Sequence, residues 1–366
     1  MAAAVGAEMI SADVSCTIAE IDFAGIEAVL TGWCFYQHGI SSDQARDYIR
    51  LARCGMHGAV TACYLGVPAD LSLDDAKLMA YLTPFKEETI YRSVKATVHA
   101  SAYGMSLHGM LEQFPELYRD EAEARKIQQF YHQVAPALPQ WHNAVRKQAR
   151  EVGYLGGPTL PGAAPSRWDH PYGYRHWFWD VLSYKPADEV TARKWMASAG
   201  WKDRIVQIHG RWFKIVWGGD SKRTLAFYPQ SIAAGVLKAA EMALFADPES
   251  PDFIGDAYFG RTPLLGVIHD SILLHIPLCC ADRIIEIVTR VMQAPIAELP
   301  IPDVWGWGSH LRIGVDAKAG RDWSKSAMRK IAVPRLEFSH AGADSAMLPR
   351  EEADREDWDA LARRIA

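Results

Sequence analysis

Two stretches of the chain carry the hydrophobic patterns of β-strands. Residues 17–23 (TIAEIDF) alternate apolar and polar side chains, which predicts a short strand that ends at Asp22. Residues 263–277 (PLLGVIHDSILLHIP) hold two apolar runs on either side of a central His-Asp-Ser. This second pattern predicts a buried hairpin whose turn exposes a polar pair.

Helical patterns occupy most of the intervening chain. The predicted helices are 26–35, 43–65 with a break around Gly55, 87–104, 119–151 with interruptions at Pro136 and Pro139, 229–246 and 282–293, and a further strand is predicted at 311–316. A Gly- and Pro-rich connector covers 153–165. Segment 341–366 carries seven acidic and four basic residues, which predicts a solvated, partly disordered tail.

The helix predicted at 87–104 has an unusual polar face. This face groups cations with flat rings at helical spacing: Tyr91, Lys95, His99 and Tyr103, with Arg92 one step away. The opposite side carries apolar and small residues that can pack inward. The polar face suits a substrate with phosphates at one end and a base at the other. An ordinary surface helix with some aromatic residues is the alternative.

Composition and charge place the chain in the ordinary globular class. Apolar residues make up 49% and charged residues 23%, and 366 residues are enough for two or three domains. The net charge of −5 argues neither for nor against nucleic acid, because the position of the charge matters more than its sum. Six cysteines without a CxxC pair predict a reducing, cytoplasmic compartment. The sequence predicts neither a signal peptide nor a membrane span.

One stretch combines positive charge with aromatic side chains. From 141 to 225 there are fourteen Lys and Arg residues against seven Asp and Glu, and seven of the thirteen Trp residues lie between 167 and 217. Interleaved basic and aromatic residues suit a groove for single-stranded or primer–template nucleic acid, through phosphate attraction and base stacking. A Trp-rich packed insertion is the alternative, because Trp is usually a core residue.

Together these stretches supply the groups that nucleotidyl transfer needs. Asp22 ends a strand, where an Asp is often only a turn or N-cap residue, and Asp270 lies in so apolar a segment that its charge is costly unless it is used. Two carboxylates can bridge two Mg²⁺ ions, which activate a 3′-hydroxyl and stabilise the leaving pyrophosphate. Lys95 and Arg92 can neutralise a triphosphate, and rings on their helix can stack on a base.

Six motifs, in order between about residues 17 and 325, resemble the palm and fingers of family A DNA polymerases, of the phage-type DNA polymerase I kind. DFAGIEAVL (22–30) resembles the family's DYSQIELRVL, MHGAVTACYLGVP (56–68) resembles its DIHxxTAxxxFGVP, and RSVKATVHASAYG (92–104) resembles its RxxKxxxFxxxYG. YPQSIAAGVLK (228–238) resembles its PxQGTAADIIK, VIHDS (267–271) resembles its VHDE, and IGVDAKAGRDW (313–323) resembles its VGxGxxW. Any one of these matches alone would be weak, whereas six in the correct order are specific.

The resemblance implies an α+β fold, in which a right-hand polymerase palm with an antiparallel sheet carries helical fingers. The implied parts are the palm at 1–54 and 223–326, the fingers at 55–152 including the nucleotide-binding helix 87–104, a Trp-rich basic insertion at 153–222, and a charged C-terminal tail at 327–366. The family's thumb and 3′–5′ exonuclease would be absent, so that a second chain or the insertion would grip the DNA. Primer–template DNA and dNTPs would be the partners, in the cytoplasm of a bacterium or a phage-infected host.

The resemblance also implies roles for the matched positions. Asp22, Asp270 and the backbone carbonyl of Phe23 would hold two Mg²⁺ ions, and both aspartates would be catalytic. Lys95, also catalytic, would contact the triphosphate and serve as general acid to the pyrophosphate. His57, whose position alone predicts a surface residue at a helix start, would also touch the triphosphate.

The other implied site residues bind nucleotide or primer–template. They are Arg92, His99, Tyr103 and Glu27 for the nucleotide, and Gln230, His269 and Gly104 for the primer–template. Tyr103 would stack near the templating position and hydrogen-bond Glu27. Glu27 would then block the space of a ribose 2′-hydroxyl, which selects deoxynucleotides.

Four positions depart from the family's pattern. Tyr91 replaces a triphosphate-binding Arg, Gly25 a Gln, His99 an aromatic residue that packs on the sugar, and Ser271 a Glu beside the second catalytic Asp. A single-subunit RNA polymerase shares the palm and often has His-Asp-Ser at this turn, but it lacks the block that Glu27 would supply. A polymerase-like DNA-binding protein without catalysis is the third hypothesis, and the intact aspartates and lysine argue against it.

Overall fold

The computed structural model describes residues 16–159, 161, 163–197, 205–256, 262–324 and 326–333. The segment 1–15, Trp201 and the predicted acidic tail 341–366 lie outside these residues. The strands are β1 (Cys16–Phe23), β2 (Tyr154–Gly156), β3 (Arg175–Trp177), β4 (Leu182–Ala187), β5 (Ile205–Ile208), β6 (Arg211–Trp217), β7 (Leu264–Ile268), β8 (Ser271–Pro277), β9 (Val315–Gly320) and β10 (Arg329–Ile331). The helices are α1 (Ile26–Gln37), α2 (Ser42–Cys54), α3 (Met56–Tyr64), α4 (Asp75–Leu82), α5 (Tyr91–Ala102), α6 (Leu107–Gln113), α7 (Glu121–Val134), α8 (Ala137–Val152), α9 (Glu189–Ala197), α10 (Asp220–Glu241) and α11 (Ala281–Met292).

The chain divides into two compact units. The sheet unit comprises Met1–Trp33 and Ser231–Ala366, and the helical unit comprises Cys34–Gln230. Residues 34–54, predicted as part of the palm, therefore group with the helices, because α2 packs among them and the Tyr48 hydroxyl lies 2.9 Å from that of Tyr131 in α7. The α+β class is confirmed, and the palm and fingers assignment stays a prediction. Within the described parts of the chain, no helix is both long and apolar enough to span a bilayer.

The sheet unit is built on an antiparallel sheet with the order β10-β9-β1-β8-β7. Along the central strand β1, Ala19, Ile21 and Phe23 are buried, and α11 packs against β1 and β8. Glu20 and Asp22 alternate with them on the other face, since successive side chains of a strand point to opposite sides. The predicted strand 17–23 and its period are confirmed.

The predicted hairpin is present, but only one of its strands is buried. β7 and β8 pair directly across a two-residue turn. β8 is mostly buried, whereas Leu265 and Val267 of β7 are exposed. The prediction of a buried hairpin is therefore wrong for β7, because this strand lies at the edge of the sheet and has a single neighbour.

Two further boundaries in the sheet unit differ from their predictions. The strand predicted at 311–316 is β9, which starts at Val315, because its pairing with β1 begins where Val315 meets Phe23. Before it, Leu311 instead exchanges backbone hydrogen bonds with Ile296 and Leu299. β10, which pairs with β9, also lies inside the segment 327–366 that was predicted as a tail.

The predicted helix 87–104 is present in the helical unit with its inward side as predicted, but it is shorter than predicted. The helix α5 starts at Tyr91, because residues Thr83–Glu87 form a 3₁₀ turn and Glu88 is extended. Val94 and Thr97 are fully buried, and α5 packs on α3 and α7. Gly55, with φ +137°, separates α2 from α3 as predicted.

Of the two predicted interruptions, only the one at Pro136 is present, since α7 ends at Val134 and α8 begins at Ala137. Pro139 lies in the first turn of α8, where its missing N–H has no helical partner to lose, so it does not interrupt the helix. The predicted helix 229–246 belongs to α10, which begins at Asp220 and holds Pro229 inside. The predicted interruption at Pro139 and the predicted helix start at 229 are therefore wrong, because the helix runs through each of these prolines.

The insertion contains two small antiparallel sheets. β2 pairs with β3, and β4, β6 and β5 form a three-stranded sheet in that order. β2 lies within the segment 153–165 that was predicted as a connector. None of the described tryptophans of the insertion is buried; they are Trp168, Trp177, Trp179, Trp195, Trp212 and Trp217. Trp177, Trp179 and Trp217 are exposed, which contradicts the alternative of a packed Trp-rich insertion for these three, whereas Trp168, Trp195 and Trp212 are half-buried.

Candidate active site

The sheet unit brings the two predicted aspartates together at one end of β1. In the register of the sheet, Asp22 faces Ser271 of β8 on one side. Asp270, which precedes Ser271, is held at this end of β1 because the Phe23 N–H donates a hydrogen bond to the Asp270 carbonyl at 3.2 Å. Two carboxylates that are 248 positions apart in the chain thus become neighbours, with a side-chain hydrogen bond between them.

The turn that presents Asp270 is locally strained. His269 has φ +56°, in the left-handed region that costs a non-glycine residue about 1–2 kcal/mol. The Ser271 hydroxyl donates to the Ile268 carbonyl at 3.0 Å and closes the turn. Ser271, which departs from the family's Glu, is therefore a buried part of the turn.

The electrostatics of the aspartate pair favour a bound cation. Burial, the charge of Asp270 and the hydrogen bond with Asp270 together raise the pKa of Asp22 to about 6, and Lys318 opposes the shift. A divalent cation between the carboxylates would remove this repulsion, so the pair fits Mg²⁺. No group of three or more His, Cys, Asp or Glu side chains among the described residues has a metal-binding arrangement. Mg²⁺ is commonly held by one or two carboxylates together with substrate phosphates and water.

Sequence reasoning missed a third carboxylate beside this pair. Asp316 of β9 lies directly opposite Asp22 in the register, and opposed residues have Cβ atoms about 4.5–5.5 Å apart. Its carboxylate lies 3.7 Å from the Lys330 ammonium. Lys318, two residues on, donates to Glu20 at 3.4 Å. The only sequence signal for Asp316 was its place in a predicted strand, since the partner strand is far away in the chain.

The helical unit gathers four of the predicted nucleotide-binding residues around one cavity of about 500 Å³. These residues, all from α5 and its C-terminal end, are Arg92, Lys95, His99 and Tyr103. Lys95 and His99 are exposed along the face that the sequence predicts. Lys222, at the start of α10, also lines the cavity and adds a cation that sequence reasoning missed.

His57 joins this cationic cluster. Its ring centroid lies 5.0 Å from that of His99 and 6.1 Å from that of Tyr91. Burial, and then the charges of His99, Lys95 and Lys86, lower the pKa of His57 to about 4. His57 is thus half-buried against α5 and neutral at pH 7, and a bound anion would relieve the crowding of positive charge.

Gly104 has a clear structural requirement. Its φ is +67°, and a Cβ at this position would lie 2.5 Å from a guanidinium nitrogen of Arg146 and 2.7 Å from Cδ1 of Leu225. Glycine therefore lets the end of α5 approach α8 and α10 closely.

Two of the remaining predicted site residues are exposed, and a third lies at the start of a helix. Gln230 and His269 are exposed, and Glu27 lies in the first turn of α1. The pairing of Glu27 with Tyr103 and the use of the Phe23 carbonyl as a metal ligand stay predictions.

No protein-family model matches the chain, and no curated protein matches it. Among solved structures, it is similar to the POL domain of Pol1 from M. smegmatis in complex with DNA primer-template and dNTP, with a TM-score of 0.48 and 16% sequence identity. The match covers 86% of this chain and 41% of that chain, so the chain spans less than half the length of the structure it resembles.

Proposed function

We propose that the chain is a DNA-templated DNA polymerase that transfers a nucleotidyl group from a dNTP to a primer 3′-hydroxyl. The observation that carries the proposal is the Asp22–Asp270 pair, in which backbone pairing at the end of β1 holds two like charges close together. Keeping two carboxylates together in a half-buried position is unfavourable unless a ligand uses them. The six sequence motifs support the same function.

The sheet unit would hold the catalytic metal. Asp22 and Asp270, with the Phe23 carbonyl, would bind Mg²⁺, and the substrate phosphates and water would complete the coordination. When bound, two Mg²⁺ ions supply activation of the primer 3′-hydroxyl and charge stabilisation of the leaving pyrophosphate. The contribution of the chain itself is to fix Asp22 on a paired strand and Asp270 in the turn before its partner strand, so that little reorganisation is needed on binding.

The helical unit would bind the incoming nucleotide. Lys95, Arg92 and His57 would neutralise the triphosphate, and Lys95 would donate a proton to the leaving pyrophosphate. The cavity of about 500 Å³ lies in the usual range of about 300–1,000 Å³ for ligand sites. His99 and Tyr103 present rings to the same cavity, which suits the sugar and base.

The proposal extends to substrate choice and DNA contacts. Glu27, oriented by Tyr103, would exclude a ribose 2′-hydroxyl and so favour dNTPs over NTPs. Gln230, His269 and Gly104 would lie along the primer–template. A second chain that supplies a thumb or an exonuclease is part of the same proposal.

The test is extension of a labelled primer–template by the purified chain with Mg²⁺, using dNTPs and NTPs in parallel. The Asp270→Asn variant should abolish extension, whereas Asp303→Asn, which changes an exposed carboxylate of the sheet unit, should leave it unchanged. Extension with NTPs would move the function to RNA synthesis. A chain that binds primer–template without extending it, alone or with partner chains from its source, would contradict the proposal.

A further inference from the structure

A ribbon in the insertion exposes an aromatic surface that the proposed polymerase function does not use. Tyr154 of β2 lies directly opposite Trp177 of β3, with ring centroids 4.9 Å apart. Arg175, two residues before Trp177 and on the same face of the strand, places its guanidinium 4.6 Å from the centre of the Tyr154 ring. One face of the ribbon thus carries two rings and a cation.

Trp179 extends this surface. Its ring plane lies 12° from that of Trp177, with centroids 5.9 Å apart, so the two indoles are stacked. Trp179 is 84% exposed and Trp177 is 47% exposed. An indole buries a large apolar area when it finds a partner, so two adjacent indoles left in solvent indicate a binding surface. We call Tyr154, Arg175, Trp177 and Trp179 the aromatic platform.

The platform stands on a fixed backbone. The residue between the two tryptophans, Phe178, is buried, and its N–H donates to the Gly153 carbonyl at 2.9 Å. The Trp179 N–H donates to the Asp220 carboxylate at 3.0 Å. The exposed rings are therefore held in place before a ligand arrives, which reduces the entropy lost on binding.

The segment that holds the platform is basic, because residues 141–225 carry fourteen Lys and Arg against seven Asp and Glu. Asp180 and Asp220 are the nearby carboxylates, and both accept backbone N–H groups: Asp180 from Gly219 at 2.7 Å, and Asp220 from Trp179 and Asp180. The Ser183 hydroxyl and then the Gly219 N–H lower the pKa of Asp180, and the Asp180 N–H, Arg223 and the Trp179 N–H lower that of Asp220. Both carboxylates therefore stay charged and are engaged by these donors. Arg175 remains exposed beside the rings.

A third exposed indole lies close to the platform in the fold. Trp217, 48% exposed, has the Arg146 guanidinium 4.9 Å from its ring centre. It is brought next to the platform segment because the Gly218 N–H donates to the Val181 carbonyl at 3.0 Å. Ring and cation therefore recur together, as in surfaces that bind bases and phosphates at once.

We propose that the aromatic platform binds single-stranded DNA, with bases stacked on Trp179 and Trp177 and a phosphate at Arg175. Such stacking is sequence-tolerant, because every base has a flat face. The binding does not rest on the proposed polymerase function, since it requires neither metal nor dNTP. In a polymerase it would hold the unpaired template strand.

The test measures binding of fluorescein-labelled dT20 to the full chain by anisotropy, in EDTA and at low salt. The Trp179→Ala variant should bind about tenfold more weakly, from the stacking energy of one base, and Trp179→Phe should keep most of the affinity. Tyr184→Ala removes a comparably exposed aromatic side chain of the same unit and should bind like the wild type. Because Trp179 is so exposed, its replacement should leave the circular dichroism and Tm unchanged.

A strand of equal length and charge without bases separates stacking from phosphate attraction. The wild type should bind dT20 more than tenfold more tightly than this abasic strand, and Trp179→Ala should show a smaller difference, because only Trp177 is left to stack. Equal binding of both strands by the wild type, or unchanged dT20 binding by Trp179→Ala, would overturn the proposal. The Asp270→Asn variant, which tests catalysis, should bind dT20 normally, so failure of the platform and failure of the polymerase proposal give different results.

Discussion

The aspartate pair predicts that removing a catalytic charge makes the apo protein more stable. In the Asp22→Asn variant, the amide keeps the shape and hydrogen-bonding capacity of the side chain but has no charge to oppose Asp270. Selection for stability alone would disfavour two facing carboxylates, whereas a metal site requires them. The variant should therefore gain stability without metal and lose catalysis.

The size of the gain follows from the pKa of Asp22, which is raised from 3.8 to about 6. About two pKa units correspond to about 3 kcal/mol, and solvent screening of this half-exposed group reduces the effect to about 1–1.5 kcal/mol. Because this pKa is raised, the folded state holds the Asp22 proton more tightly than the unfolded state does. The destabilisation is thus fully present above pH 6 and disappears as the pH falls below 3.8.

The assay is urea unfolding at pH 7.5, followed by circular dichroism, in EDTA and in Mg²⁺. In EDTA the unfolding free energy of the variant should exceed that of the wild type by about 1–1.5 kcal/mol. Mg²⁺ should raise the unfolding free energy of the wild type more than that of the variant. Asp303→Asn should match the wild type under both conditions. An Asp22→Asn variant that is less stable than the wild type in EDTA, or an equal response of both to Mg²⁺, would refute the reasoning.

Four further predictions follow from named contacts. Replacing Lys95 by Met should lower the extension rate by about 10²-fold and weaken dNTP binding, measured by single-turnover extension; an unchanged rate would remove Lys95 from the site. The pKa of His57, now about 4, should rise when the cavity fills with triphosphate, because an anion stabilises the protonated ring; its NMR titration midpoint with and without dNTP measures this, and an unshifted midpoint contradicts it. Gly104→Ala should destabilise the fold by about 1–3 kcal/mol in urea unfolding, because φ is +67° and the Cβ meets neighbouring side chains. His38 accepts the Trp141 indole N–H at 2.8 Å, and burial, then the charge of Arg167, lowers the pKa of His38 from 6.5 to about 3. The stabilisation by neutral His38 is present above pH 6.5 and is lost as the pH falls, by up to about 1.4 kcal/mol per pH unit. The His38→Gln variant should therefore show a flatter dependence of the unfolding free energy on pH between about pH 6 and 4.

Local patterns predicted the elements that carry the site. The alternation in 17–23 predicted β1 and its buried face, and the two apolar runs around a polar pair predicted the β7–β8 turn. Helical spacing predicted that Lys95 and His99 share an exposed face of α5. These predictions succeeded because side-chain periodicity depends on the backbone geometry of a single segment.

Local patterns failed where the neighbours of a segment decide its state. The burial of β7 depends on its place at the edge of the sheet, and the start of β9 depends on where β1 ends. Proline usually breaks a helix, but Pro139 lies in the first turn of α8, where it does not interrupt the helical hydrogen bonds.

By itself, the sequence determined the α+β class, the strand that bears Asp22, the turn that bears Asp270 and the cationic face of α5. Only the tertiary structure decided that Asp22, Asp270 and Asp316 lie together, that His57 joins His99, and that Trp177, Trp179 and Trp217 of the insertion are exposed. The physical reason is that strand pairing and burial join residues hundreds of positions apart, and no local pattern records which partners will meet.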